Sequence, residues 1–353
     1  MTDAFGGYGG IAQYNRDILT ALAEGQIVTQ IDVLVRLAPD AAETLPEKIN
    51  QARPIRGRVA YALAALIKAL QTRPQLVFSG HIYHGPLARL ISRLTGAKLV
   101  SQLHGTEIWH QVRPVHLEPL DQSDRVLCVS RHTKSCLDRQ SQLAQPNTLV
   151  IPNTVDAAFT VGDTQQAKAK FGIAGEKVVL TVARLDTRQG YKGHDRIIRE
   201  LSHLNSTISE GVIYLVAGQG PDLPRLAALA QELGVADKVR FMGKVPIDDL
   251  PDLYRAADIF ALPSTGEGFG IVFLEAMACG IPAIGLNIGG APDALADGEL
   301  GICVDEQDFP AALARALHAP PVDTTALSNA VRARFGREAF TERVLGFLSK
   351  LNS

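Results

Sequence analysis

The chain has 353 residues, 46% of them hydrophobic and 20% charged, with a formal net charge of −2. That length exceeds one comfortable core and fits two domains, and nothing in the charge balance calls for a nucleic-acid partner. No apolar run reaches the ~18 residues of a membrane span, and no basic stretch followed by an apolar one marks a secretory signal. The four cysteines, Cys128, Cys136, Cys279 and Cys303, show no metal-type pairing and read as reduced core thiols. Together these features predict a cytoplasmic protein.

Charge is uneven along the chain. Residues 1–155 hold 16 Lys and Arg against 12 Asp and Glu, and the remainder holds 19 against 25. A mildly basic first half suits peripheral contact with the anionic inner face of a membrane, or an anionic acceptor. Charges scattered over a solvated surface would give the same count.

In chain order, the first strand expectations are residues 31–37, 76–79, 98–103 and 125–130. Helical patterns lie between them. In residues 11–23, Ile11, Tyr14, Ile18, Leu19 and Leu22 share one face, and residues 58–70 form another such stretch. Arg53, Arg56 and Arg58 lead into the second helix. That helix reads first as a core-facing element, with membrane contact as its rival. Residues 148–152 then run into Asn153, Thr154, Val155 and Asp156, a turn-rich passage that reads as a domain link.

A second series of strands is expected at 177–182, 212–217, 238–241, 259–261, 282–285 and 301–304, with helices at 223–233 and 271–278. Short β-branched runs alternating with longer amphipathic stretches predict parallel sheets wrapped by helices. The expected domains are 1–155, joined by an amphipathic C-terminal helix of about 337–353, and 156–336.

The N-terminus is odd. Met1 to Phe5 run straight into Gly6, Gly7, Tyr8, Gly9, Gly10 and a helix, where a doubly wound domain should place a central apolar strand. Losing that strand would leave backbone groups unpaired on both neighbours. The expectation is a start lying upstream, or an incomplete sheet. Gly7, Gly9 and Ala12 also form a partial Gly-x-Gly-x-x-Ala dinucleotide pattern, a weak signal with no strand before it.

Chemistry concentrates in the second half. From Pro263 to Gly280 a strand ends, a turn with glycines at 266, 268 and 270 follows, and a helix starts near Gly270. Glycines there let backbone N–H groups approach a ligand, and the helix start points its positive end at it, which suits a diphosphate. Glu267 lies in the turn, free to accept from sugar hydroxyls, and Glu275 is placed to hold ribose hydroxyls. Arg184 and Lys192, near the end of the 177–182 strand, supply cations for a leaving diphosphate. A capped helix with two surface glutamates, or charges scattered in a loop, would present the same letters.

Jointly these segments resemble retaining glycosyltransferase family 4. The resemblance rests on Glu267, Gly268, Phe269 and Gly270 with Glu275, Ala276, Met277, Ala278, Cys279 and Gly280. Other segments follow in the family's order: Gly9-Gly10, His104-Gly105-Thr106-Glu107, Val129-Ser130, and Ile151 to Asp156. They continue with Arg184 and Lys192-Gly193, Ala217 to Pro221, Phe241 to Val245, and Gly289-Gly290. It spans nearly the whole chain and implies an α/β, GT-B architecture: two Rossmann-like domains facing across a cleft, with the C-terminal helix packed back on the N-terminal, acceptor-binding domain.

The resemblance implies transfer of a hexosyl unit from a UDP- or GDP-sugar to a hydroxyl acceptor, with retention of configuration. No metal and no cofactor is implied beyond the donor, which is a substrate. Arg184 and Lys192 would bind phosphates and Glu267 the donor sugar. Gly268 belongs to the same turn, and the amides of Phe269, Gly270 and Ile271 would face sugar and phosphate. Glu275 would bind ribose, Val245 would lie beside the base, and Gly9 and Gly10 would let the first-domain loop close over the diphosphate. His104 would sit near the transferred sugar. His81 and Trp109 are further acceptor-side candidates, with structural roles as their alternatives, and His84 stands close by. The interval from Arg184 to Lys192 is longer than in many members.

A saccharide or lipid-linked acceptor in surface polysaccharide or glycolipid assembly is the expected setting. A GT-B epimerase or phosphorylase, or a non-catalytic sugar-nucleotide-binding subunit, are the rival readings.

Overall fold

The structure, a computed structural model, describes residues 1–39, 44–141, 147–186 and 192–352. The chain divides into two compact units, Met1–Thr154 with Glu338–Ser353, and Val155–Arg337.

The first unit opens with helix α1 (Gly9–Glu24), followed by strands β1 (Ile31–Val33) and β2 (Ile49–Gln51), helix α2 (Arg58–Thr72), β3 (Leu76–Ser79), α3 (Gly85–Thr95) and β4 (Lys98–Leu103). Then come α4 (Pro114–Asp121), β5 (Arg125–Cys128), α5 (Arg131–Asp138) and β6 (Thr148–Val150). Strands β3, β4, β5 and β6 form a parallel sheet in that order, while β1 and β2 form a separate parallel pair. Strand β4 is buried along nearly its whole length, as a central parallel strand covered on both faces must be.

The strand expected at 31–37 stops at Val33. The amides of Arg36 and Leu37 turn to the Thr2 carbonyl, at 3.0 and 2.9 Å, so they are lost to any ladder with β2. Among the described residues, strand β1 has no partner but β2, and β3 none but β4. Between them lies a cavity of about 870 Å³, lined by Ile31, Val33, Leu76 and Phe78 among others. The sheet is thus interrupted where a central strand is expected. The Met1 ammonium lies at this position, donating to Leu34 O at 2.9 Å and Tyr61 Oη at 2.8 Å, and burial lowers its pKa to about 5.

The second unit carries α6 (Thr164–Lys170), β7 (Lys177–Val182), α7 (His194–Thr207), β8 (Val212–Ala217), α8 (Leu223–Glu232), β9 (Val239–Gly243) and α9 (Leu250–Arg255). It continues through β10 (Ile259–Leu262), α10 (Ile271–Ala278), β11 (Ala283–Leu286), α11 (Ala291–Ala294), β12 (Ile302–Val304), α12 (Phe309–His318) and α13 (Thr324–Phe335). All six strands run parallel in the order β12-β11-β10-β7-β8-β9. Val179, Tyr214, Val216, Ile259 and Ile284 join Ile197, Ile198, Leu201 and Leu226 from helices in one apolar core.

Gly336 separates α13 from the last helix, α14 (Arg337–Asn352). From Glu338 onward α14 belongs to the first unit. Phe340 meets the Tyr14 ring edge-on at 5.8 Å, and Thr341 bonds Glu24 at 3.0 Å, so the helix packs on α1. The α/β class and its parallel sheets agree with the sequence reading. Among the described residues no helix is long and apolar enough to cross a membrane.

Candidate active site

In the second sheet β7 comes first in the chain, β8 and β9 extend it on one side, and β10 returns to its other side. The switch point therefore lies between β7 and β10. Loops leaving the carboxyl ends of such strands diverge, and a ligand crevice opens outside them. Arg184 and Lys192 follow β7, and the Glu267–Gly270 turn follows β10.

Lys192 Nζ donates to Glu267 Oε1 at 2.7 Å, and the two side chains keep only 16% and 9% of their surface. The residues that follow Lys192 are tightly held. Gly193 has φ +78°, and a Cβ there would lie 2.3 Å from the Pro263 carbonyl oxygen. Arg196 Nη1 donates to that same oxygen at 2.8 Å. His194 Nδ1 lies 2.9 Å from Tyr214 Oη, which donates to Thr181 Oγ1 at 2.8 Å, which donates to Ala261 O at 2.5 Å. Since Tyr214 donates onward, its oxygen accepts from His194, which places the imidazole proton on Nδ1. Burial, reinforced by the Lys192 charge, lowers the His194 pKa to about 4.

The glycine turn is held as tightly. Gly290 N donates to Glu267 O at 2.8 Å, and a Cβ on Gly290 would lie 2.2 Å from Gly268 O. Gly270, at φ +97°, caps the start of α10. The Phe269 ring is buried edge-on against Phe335 at 5.8 Å, which leaves its backbone as the part a ligand can use. Ile271 is the first residue of α10, where N–H groups have no partner within the helix.

Glu275, on α10, accepts from the Tyr254 hydroxyl at 2.6 Å through Oε2. Burial raises its pKa to about 7, against the opposing pull of the Tyr254 bond, and nearby Asp156 adds to the rise. Arg184 is exposed at the end of β7. The flanking carbonyls of Ala183 and Leu185 are approached so closely by Gly218 and Gly220 that a Cβ on either would lie 1.9 Å away. Gly218 N donates to Gly243 O at 2.8 Å, which brings the turn carrying Val245 beside them. Residues 187–191, which hold most of the interval singled out between Arg184 and Lys192, lie outside the described residues.

In the first unit, α1 begins at Gly9, whose φ is +82°. A Cβ on Gly9 or Gly10 would meet nothing within 4 Å. His104 Nε2 lies 2.9 Å from Gly80 O, and its amide donates to Glu107. Burial lowers its pKa to about 4. The His81 ring lies 6.0 Å from that of His104 and 4.9 Å from that of Tyr83, and its Nδ1 accepts from the Tyr83 amide. His84 is tied to Thr2 at 3.2 Å and burial, then the N-terminal charge, lowers its pKa to about 3. Trp109 packs against the cluster of Ile82, Leu103 and Ile108 and meets His132 edge-on at 6.3 Å, which favours core packing over an open platform.

Tyr254, Arg196, Tyr214 and Thr181 went unmarked at the sequence level. Each acts through a partner 20 or more positions away, and only Arg196, two residues into the helix after the Lys192-Gly193 pair, had a local clue. Among the described residues no three His, Cys, Asp or Glu side chains gather as a metal set.

Two family models match in tandem: Glycosyltransferase Family 4 over residues 8–159 and Glycosyl transferases group 1 over residues 163–333. A GDP-mannose-dependent alpha-(1-6)-phosphatidylinositol monomannoside mannosyltransferase of Mycolicibacterium smegmatis is 34% identical over 64% of this chain and 61% of its own. A D-inositol 3-phosphate glycosyltransferase of Acidothermus cellulolyticus is 33% identical over 69% of this chain and 60% of its own. The matches thus span about three fifths of these relatives' lengths. Among solved structures, Anabaena HepE in complex with UDP superposes with a TM-score of 0.77 at 19% identity, over 99% of this chain and 100% of that one.

Proposed function

Because the chain belongs to glycosyltransferase family 4 and has a GT-B fold, we propose that it moves a hexosyl unit from a UDP- or GDP-sugar to a hydroxyl acceptor, with retention of configuration and without a metal. The observation that carries this reading is the enclosed Lys192–Glu267 pair at the switch point of the second sheet, beside a glycine turn and a helix start. An ammonium, a carboxylate and the first backbone N–H groups of α10 come together there, the groups that a sugar joined to a diphosphate requires.

The acceptor oxygen bonds to the anomeric carbon on the face the leaving group vacates. The bond from that carbon to the diphosphate oxygen breaks, and the acceptor proton passes to a phosphate oxygen. Lys192, Arg184 and the amides of Phe269, Gly270 and Ile271 stabilise the charge that grows on the leaving diphosphate. Glu267 orients donor hydroxyls, Glu275 the ribose, and Val245 flanks the base. Gly9 and Gly10 leave room for the diphosphate, and His104, with His81, faces the acceptor side. The acceptor is a saccharide or a lipid-linked glycan in surface polysaccharide or glycolipid assembly, which fits the phosphatidylinositol mannoside in the mannosyltransferase's name. Contact with an anionic membrane surface belongs to the same reading.

A thermal-shift panel of UDP-, GDP- and ADP-sugars, followed by product analysis with acceptor, tests the proposal. A donor at about 100 times its Kd should add roughly 2.7 kcal/mol of stability. If none of the sugar nucleotides stabilises the protein, or if donor is consumed without glycosylated product, the proposal fails.

A further inference from the structure

Helix α2 is built inside out. Its buried face is small, with Tyr61, Ala65 and Ala69 turned inward. Leu66 packs beside them, but four other large aliphatic residues face solvent: Val59 is 73% exposed, Leu63 55%, Ile67 56% and Leu70 55%. Their spacing of four, four and three residues places all of them on one helical face. Helix α3, which packs against α2, exposes Leu90 and Leu94 in the same way. Large outward aliphatic side chains concentrated on one face mark a surface made to be covered.

The stretch of chain that builds this face carries charge of one sign. From Lys48 to Thr106 the chain carries nine Lys and Arg and no Asp or Glu. Arg53, Arg56 and Arg58 lie at or just before the start of α2, and Arg73 is its C-cap. All four are exposed. Other cations of this stretch are engaged from outside it, Lys68 by Asp32 at 3.1 Å and Arg89 by Glu118 at 2.9 Å.

We propose that the outer face of α2, with Leu90 and Leu94 of α3, docks on an anionic lipid bilayer, Val59, Leu63, Ile67 and Leu70 entering the headgroup boundary while Arg53, Arg56, Arg58 and Arg73 meet lipid phosphates. An apolar stripe with basic residues at its ends is the pattern of an interfacial helix, whose binding adds buried apolar area to attraction for anionic lipid. A second copy of the chain is disfavoured as the occupant, because a two-fold contact on this face would set the four exposed arginines against their own copies.

This inference deepens the sugar-transfer reading, since it says where a lipid-borne acceptor would be met, but its test does not depend on transfer. Co-sedimentation of the full chain with phosphatidylcholine vesicles, and with vesicles containing about a quarter phosphatidylglycerol, should show binding to the anionic vesicles alone, weakened by salt. Leu63→Glu with Ile67→Glu should lower that binding at least roughly tenfold, and Arg56→Glu with Arg58→Glu should lower it by a similar factor. Melting temperature and donor-induced stabilisation, read on the same variants, should stay at the wild-type level. Loss of donor stabilisation in the wild type would strike the transfer reading and leave this one standing. Equal binding to neutral and anionic vesicles, or variants that sediment like the wild type, would overturn the docking face. A dimer in vesicle-free buffer that Leu63→Glu dissociates would also overturn it, and assign the face to a second copy.

Discussion

Lys192 and Glu267 stand 75 positions apart in the chain and meet at 2.7 Å, both nearly enclosed. Each meets the other's charge, which allows an ammonium and a carboxylate to share a site with little water. Both face the place proposed for the donor, so each removal should damage function and stability together. Lys192→Ala and Glu267→Ala are each expected to lower turnover at least ~100-fold, corresponding to about 3 kcal/mol in the transition state. Each should also lose about 1–3 kcal/mol of stability by removing one side of this nearly enclosed ion pair. The double variant should lose less stability than the two singles together. Steady-state transfer assays and urea denaturation check this, and near-normal turnover in both single variants would remove the assignment.

Gly193 holds the neighbouring Lys192 close to the end of β10. With φ at +78° and a prospective Cβ 2.3 Å from the Pro263 oxygen, no L side chain fits without moving backbone. Gly193→Ala is expected to destabilise the protein by at least about 2 kcal/mol and to lower turnover by displacing Lys192. A melting curve that overlays the wild type would contradict the packing described.

Glu275 should give stability an unusual pH dependence. Its pKa is raised by burial to about 7, whereas an unfolded glutamate titrates near ~4.3. Between these values the folded state keeps a proton that the unfolded state has released, so this group's contribution falls as pH rises through that window. Urea midpoints measured from pH 5 to 8 should show Glu275→Gln gaining on the wild type as pH rises. Parallel profiles would rule the effect out.

Three histidines act in the opposite sense. Burial lowers His84 to about 3, and His104 and His194 to about 4. Below the unfolded pKa of about 6.5 the unfolded chain takes protons these rings refuse, so their contribution is lost as pH falls toward 4. The His104 ring resonances should therefore stay constant from pH 5.5 to 8 in an NMR titration. A midpoint near 6.5 would show that the ring is not held neutral.

Some of this was legible in order along the chain. The strands at 98–103, 177–182 and 212–217 coincide with β4, β7 and β8: β8 is a continuous apolar run, and Leu99, Val100 and Leu103 in β4 and Val178, Val179 and Leu180 in β7 supply the buried aliphatic residues of a covered parallel strand. The start of α10 was legible for the same local reason, a glycine turn followed at once by a helical apolar pattern. The shortfalls are equally local. Strand β2 is Ile-Asn-Gln, three residues with no periodicity to detect, and β1 ends early because Thr2 claims the amides of Arg36 and Leu37. Residues 58–70 read first as a core-facing helix, and α2 does turn Tyr61, Ala65, Leu66 and Ala69 inward, yet it also exposes Val59, Leu63, Ile67 and Leu70. Periodicity shows that a helix has an apolar face and does not show what that face meets.

The sequence by itself determined the class of the fold, two parallel α/β units, and the short stretches in which chemistry concentrates. These follow from interactions within a few residues: burial periodicity, turn glycines and helix starts. Only the tertiary structure decided that Lys192 closes on Glu267, that Tyr254 takes one oxygen of Glu275, and that Arg196 and Gly193 share the Pro263 carbonyl. Such partners come from separate strands and helices, and their meeting is set by the order in which β10, β7 and β8 pair, which linear spacing does not encode.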